Sequence, residues 1–82
     1  MKVSKKAYYG LRAIVALAQA NTALSIHTLA ESEGLPEDYL EKILQHLRRA
    51  NIVEAKKGVS GGYALARETK DISVWDVISD LD

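Results

Sequence analysis

Residues 36–63, PEDYLEKILQHLRRANIVEAKKGVSGGY, constrain this chain more than any other stretch. Leu40, Ile43, Leu44 and Leu47 recur at the spacing of one helix face, and Asp38, Lys42, Gln45 and Arg49 lie diametrically opposite. Tyr39 and His46 border the apolar face on one side, Glu41 and Arg48 on the other. Pro36 suits a first-turn position, where its missing N–H costs nothing. Glu37 and Asp38 favour the positive end of the helix dipole, and Asn51 suits a left-handed closing position. A helix is therefore expected over 36–50. The pattern then changes: Ile52 to Lys56 reads as a strand, Lys57 to Gly61 as a loop, and Gly62 to Ala66 as the return strand.

Two more helices are expected upstream. Ser4 is a good N-cap for a helix reaching about Asn21, and Ser25 for one over Ile26 to Glu33, which Gly34 can close. Ile26, Leu29 and Ala30 should point inward, and Ala23–Leu24 should form a short strand or a loop. The first helix is apolar nearly all round. Ala7, Leu11, Ile14, Val15 and Ala18 share one face, while Tyr9, Ala13, Ala16, Leu17 and Ala20 line the other. Such a helix asks for burial on two sides, and in so small a domain the second side is expected to meet something outside this chain. Alanines tolerated at the surface are the simpler reading.

A last helix should start at Asp71–Ser73, with Ser73 and Asp76 as a capping box. Val74, Val77, Ile78 and Leu81 form its stripe, and Trp75 beside it reads as a packing anchor. Asp80 and Asp82 stand at its negative end, and neither glycine nor a base closes it. The chain thus reads as a fragment or a shortened relative of something longer.

The 82 residues suffice for one small domain. The absence of cysteine removes disulfides, thiolate metal sites and cysteine nucleophiles together. His27 and His46 lie on different helices without ligand spacing, and no catalytic triad or carboxylate dyad is arguable, so neither a metal site nor an enzyme is expected. No apolar run approaches the ~20 residues of a membrane span, and no signal-peptide core is evident, so a cytoplasmic protein is the default. The net charge is zero, but the acids concentrate at the end: residues 1–72 hold 11 bases and 8 acids. Lys2, Lys5 and Lys6, and then Lys56 and Lys57, form two basic clusters.

Helix, turn, helix, then a basic glycine-rich hairpin is an arrangement that can grip duplex DNA. One helix enters the major groove and the ribbon tip lies on the backbone. On that reading Tyr39, Glu41, Lys42, Gln45 and His46 are groove candidates. Glu41 could accept from a cytosine amino group, and Lys42 and Gln45 could donate to purine edges. Asp38 and Lys42 also form an i, i+4 pair that would support the helix modestly. In the hairpin, Lys56, Lys57, Ser60, Gly61, Gly62 and Tyr63 combine charge, hydroxyls and closely approachable amides for phosphates. An ordinary hairpin with solubilising lysines is the alternative; its position after the helix pair favours DNA. A nucleotide-binding loop would have to follow a strand and open a helix, which this one does not. Ser4, Lys5 and Lys6 could hold a phosphate at the first helix's N-terminus.

Taken together, these blocks resemble the Rrf2 family of bacterial transcription regulators over nearly all 82 residues. MKVSKKAYYGLRAIVALA is similar to that family's first helix, SIHTLAESEGLPEDYLEKILQHLRRANIV to its helix-turn-helix, and KKGVSGGYALAR to its wing. ISVWDVISDLD is similar to the helix that follows. Tyr39-Leu40-Glu41 and Gly61-Gly62-Tyr63 are the most specific matches. The expected fold class is α+β: a winged helix-turn-helix domain over 1–82, with three helices, a two-stranded wing and a C-terminal helix. The resemblance implies a DNA-binding repressor or activator working as a homodimer, with Asp38, Tyr39 and Glu41 at the recognition helix's amino end. Lys57, Ser60, Gly61 and Gly62 correspond to its wing. Many relatives dimerise through a longer C-terminal helix and carry three cysteines for an iron–sulfur cluster. This sequence has neither, so no cofactor is expected. The rival reading is a winged-helix protein-interaction module using the apolar surface of the first helix, where changes at Ala13 or Leu17 should matter.

Overall fold

The computed structural model describes residues 3–59 and 61–82. Lys2 and Ser60, named above as basic and wing residues, lie outside them. Helix α1 spans Lys5–Ala20, α2 Ile26–Glu33 and α3 Glu37–Arg49. Strands β1 (Val53–Lys56) and β2 (Gly62–Leu65) pair antiparallel, with Val53 opposite Leu65 and Lys56 opposite Gly62. A 3-10 turn over Thr69–Asp71 leads into α4, Val74–Leu81.

The helix ends form where short-range chemistry predicts them. Ser4 and Ser25 each accept the backbone N–H three residues on, at 3.0 Å. Gly34 closes α2 at φ 66°. Pro36 is the extended residue before α3, one position earlier than expected, with Glu37 the first helical residue. At the other end Asn51 is left-handed (φ 63°), and the amides of Asn51 and Ile52 return to the carbonyls of Arg48 and Leu47. This pairing satisfies carbonyls that the helix itself leaves unbonded. In α4 both capping-box bonds are present, Asp76 N–H to Ser73 Oγ at 2.9 Å and Ser73 N–H to Asp76 Oδ2 at 3.1 Å.

The core is one cluster drawn from all four helices and both strands. Leu40, Ile43, Leu44 and Leu47 of α3 are its centre, joined by Leu29, Ile52, Val53 and Val77. Helix α1 packs on α4, α3, α2 and β2. Leu24 makes a single bridge to Tyr63, with both backbone bonds formed (2.9 and 2.8 Å). The Ala23–Leu24 segment thereby lends the hairpin a one-residue third strand.

Two sequence expectations are corrected by the packing. The buried face of α1 is Ala7, Gly10, Ala13, Ile14 and Leu17. It runs between the two apolar stripes and centres on Gly10, a position with no side chain to register on a hydrophobicity pattern. There α4 closes against α1: a Cβ at Gly10 would collide with the Leu81 side chain. Ala13 and Leu17 are therefore core, not docking surface, and Val15 faces outward. In α4, Val77, Ile78 and Leu81 are buried, but Val74 (62% exposed) and Trp75 (64% exposed) stand clear. Trp75 anchors nothing within this domain, because only the later turns of α4 reach the core.

Candidate nucleic-acid interface

Helix α3 is held along both borders of its apolar face. On the Tyr39–His46 border, the Tyr39 and Tyr9 rings meet in a T-shaped contact (centroids 6.3 Å apart), and Tyr9 in turn meets Tyr8 at 5.3 Å. On the Glu41–Arg48 border, Tyr63 donates its hydroxyl hydrogen to Glu41 Oε1 at 3.1 Å. The C-terminal end is tied down by Arg67, whose guanidinium donates to the carbonyls of Asn51 (3.0 Å) and Ala50 (3.1 Å). At the other end His27, on α2, bridges Glu37 (3.0 Å) and Glu31 (3.5 Å), which raises its pKa through the Glu37 hydrogen bond first. The helix that would read DNA is thus fixed to α1, α2 and the hairpin.

What remains open is its polar face. Lys42, Gln45 and Arg49 are exposed, and with Lys6, Tyr39, Ile43 and His46 they line a concave strip between α3 and the start of α1. His46 Nδ1 donates to the Lys42 carbonyl at 3.0 Å, leaving Nε2 outward. The strip carries three permanent positive charges, an electrostatic footprint suited to phosphates. The structure therefore brings Lys6 together with Lys42, Gln45 and His46 and adds Arg49, which sequence reasoning had not carried into the site. Arg49 was discoverable: it continues the 38, 42, 45 spacing. Asp38 is exposed, and its carboxylate accepts the neighbouring Tyr39 N–H at 2.9 Å; no Asp38–Lys42 ion pair forms among the described residues. Lys5 is also exposed.

Four candidates prove to have structural work of their own. Ser4 Oγ caps α1 and donates to the Asp82 carboxylate, so an acid already occupies the N-terminus proposed for phosphate. The same contact answers the misplaced charge of Asp82, since the end of α4 abuts the positive end of α1. The Gly61 amide donates to the Gly58 carbonyl at 2.9 Å and is spent in the turn; a Cβ there would strike the Lys56 carbonyl. Gly62 sits at φ 144°, with the Leu24 backbone where its side chain would be. Tyr63 is 8% exposed and spends its hydroxyl on Glu41, so it presents nothing to a phosphate. In the hairpin the exposed cations are Lys57 and Lys56, the latter 2.5 Å from Glu54.

Three helices, a hairpin wing and a fourth helix, with the third helix's polar face open beside a basic terminus, define a winged helix-turn-helix protein. The chain belongs to the Rrf2 family: the family profile, described as an iron-dependent transcriptional regulator, matches residues 3–82. Among solved structures it is similar to the T. potens IscR, with 44% identity, a TM-score of 0.91, and coverage of 100% of this chain and 61% of that one. It is similar also to CymR, the global cysteine regulator of B. subtilis, with 34% identity, a TM-score of 0.94, and coverage of 100% and 65%. Protein rrf2 of Nitratidesulfovibrio vulgaris is 34% identical over 84 residues, covering 100% of this chain and 56% of that protein. Against curated relatives the chain spans between 49% and 61% of their length. The family is one of transcriptional regulators rather than enzymes.

Proposed function

We propose that this chain binds duplex DNA as the reading domain of a transcription regulator, with α3 in the major groove and the 56–63 hairpin on the adjacent backbone. One observation carries the reading. Leu40, Ile43, Leu44 and Leu47 are fully buried, while the opposite edge of the same helix, Lys42, Gln45 and Arg49, stays open beside Lys6. A cationic helix face firmly held on three sides is suited to a groove. The regulators named among its relatives support the same reading. The protein-interaction alternative loses the two residues that were to mark it, because Ala13 and Leu17 lie in the core.

The regulator acts as a homodimer on a partly palindromic operator, with half-sites about one helical turn (~34 Å) apart. Its compartment is the cytoplasm, where its DNA is; no described helix is long and apolar enough to cross a membrane. The iron dependence in the family's description finds no fitting donor set in this chain. It has no cysteine, and no group of three or more suitable side chains gathers among the described residues.

Salt dependence tests the reading. Affinity for duplex DNA should fall steeply with ionic strength, and Lys57→Ala should flatten the log–log slope by about one unit. A salt-independent affinity would overturn it.

A further inference from the structure

The geometry points to Tyr63 as a positioning residue for base selection, acting through Glu41. The proposal rests on the reading of α3 as the groove helix. Among the described residues, the Tyr63–Glu41 bond is the one side chain–side chain hydrogen bond joining α3 to the hairpin. It is also well founded at its far end. The Tyr63 ring is core, and its backbone is bonded in both directions to Leu24, so the hydroxyl is held independently of the wing tip.

The consequence for Glu41 follows from hydrogen-bond chemistry. A glutamate on a helix surface has three rotatable torsions and two equivalent acceptor oxygens. Holding Oε1 at 3.1 Å removes most of that freedom and leaves Oε2 as the outward group. No second partner for the carboxylate is present among the described residues, and Glu41 is only half-buried. An ionised carboxylate only accepts, so Oε2 selects a base edge that donates: the cytosine N4 or adenine N6 amino group. Arg48 is the cation facing the pair and lowers the Tyr63 pKa. Burial of the phenol, then the bond and charge of Glu41, outweigh it and raise that pKa, so Tyr63 stays a donor near neutrality. Without the hydroxyl, Glu41 would keep its charge but lose its aim.

The test is selection from a randomised duplex library by the wild-type chain, Y63F, E41Q and the double variant, with thermal melts alongside. The wild type should enrich a motif with an amino-bearing base at one position. Y63F should retain the rest of the motif and its salt slope, while preference at that position drops roughly five-fold or more. In E41Q the amide oxygen should take the Tyr63 hydrogen and turn the NH2 outward, switching the preference to an accepting edge such as guanine O6 or N7. In the double variant the amide rotates freely and the position should become nearly degenerate. Two results would overturn the assignment alone: unchanged base preference in Y63F, or an E41Q variant indistinguishable from the double one. Should Y63F fail to fold, E41Q still decides, because a degenerate rather than switched preference removes Tyr63's role. A wild-type chain that enriches no motif overturns the DNA reading itself.

Discussion

Helices α1 and α3 are of similar length and lie side by side, yet they disclose themselves differently. In α3 large aliphatic residues face long charged ones across the helix, and the face expected from spacing is the face that is buried. In α1 the residues are mostly alanines and medium apolar groups, with a glycine on the axis of contact. The contrast that defines a buried face is absent there, and the partner's shape decides instead. A helix that must be read by another molecule needs a strong polar side. A helix that serves as the central strut needs small residues where neighbours come closest.

That contrast can be broken or sharpened by substitution. Leu44→Ala at the centre of α3 should cost about 2–5 kcal/mol of stability, read by chemical denaturation. A loss under 1 kcal/mol would mean the α3 face is not the core. Gly10→Val on α1 should cost about 1–3 kcal/mol by forcing Leu81 aside, whereas Val15→Ala, on the outward side, should stay within about 0.5 kcal/mol. Equal effects at the two positions would contradict the buried line through Gly10. Arg49→Ala should leave stability nearly unchanged while flattening the salt slope of duplex binding by about one unit.

The smallest effect is a titration. Glu37 and Glu31 raise the His27 pKa in the folded chain above its ordinary value near 6.5. The bridge therefore stabilises the fold fully below that value and is lost as pH rises through the folded pKa. Its worth is small because the side chains are exposed. Asp76 runs the other way: the Ser73 backbone N–H lowers its pKa, so its contribution is present above the ordinary aspartate range and lost on acidification. His27→Gln should remove the first dependence in melts across pH 5.5 to 8 and leave the second, at lower pH, intact.

Trp75, the single tryptophan, gives a further readout of exposure. Its fluorescence should already resemble a solvated indole in the folded chain and shift little on unfolding. A blue-shifted native emission would mean that something covers the start of α4.

The sequence by itself determined what lies within a few residues' reach: the caps at Ser4, Ser25 and Ser73, the left-handed closures at Gly34 and Asn51, and the two sides of α3. Those features depend on bonds and spacings between near neighbours in the chain, so residue type and order suffice. Only the tertiary structure decided the rest. It chose Gly10 as the point of closest approach, buried Ala13 and Leu17, left Trp75 in solvent, set Asp82 on the Ser4 cap, sent Arg67 to the end of α3 and joined Tyr63 to Glu41. Each of these joins groups from different elements, and their pairing follows from how the elements pack, which no local spacing encodes.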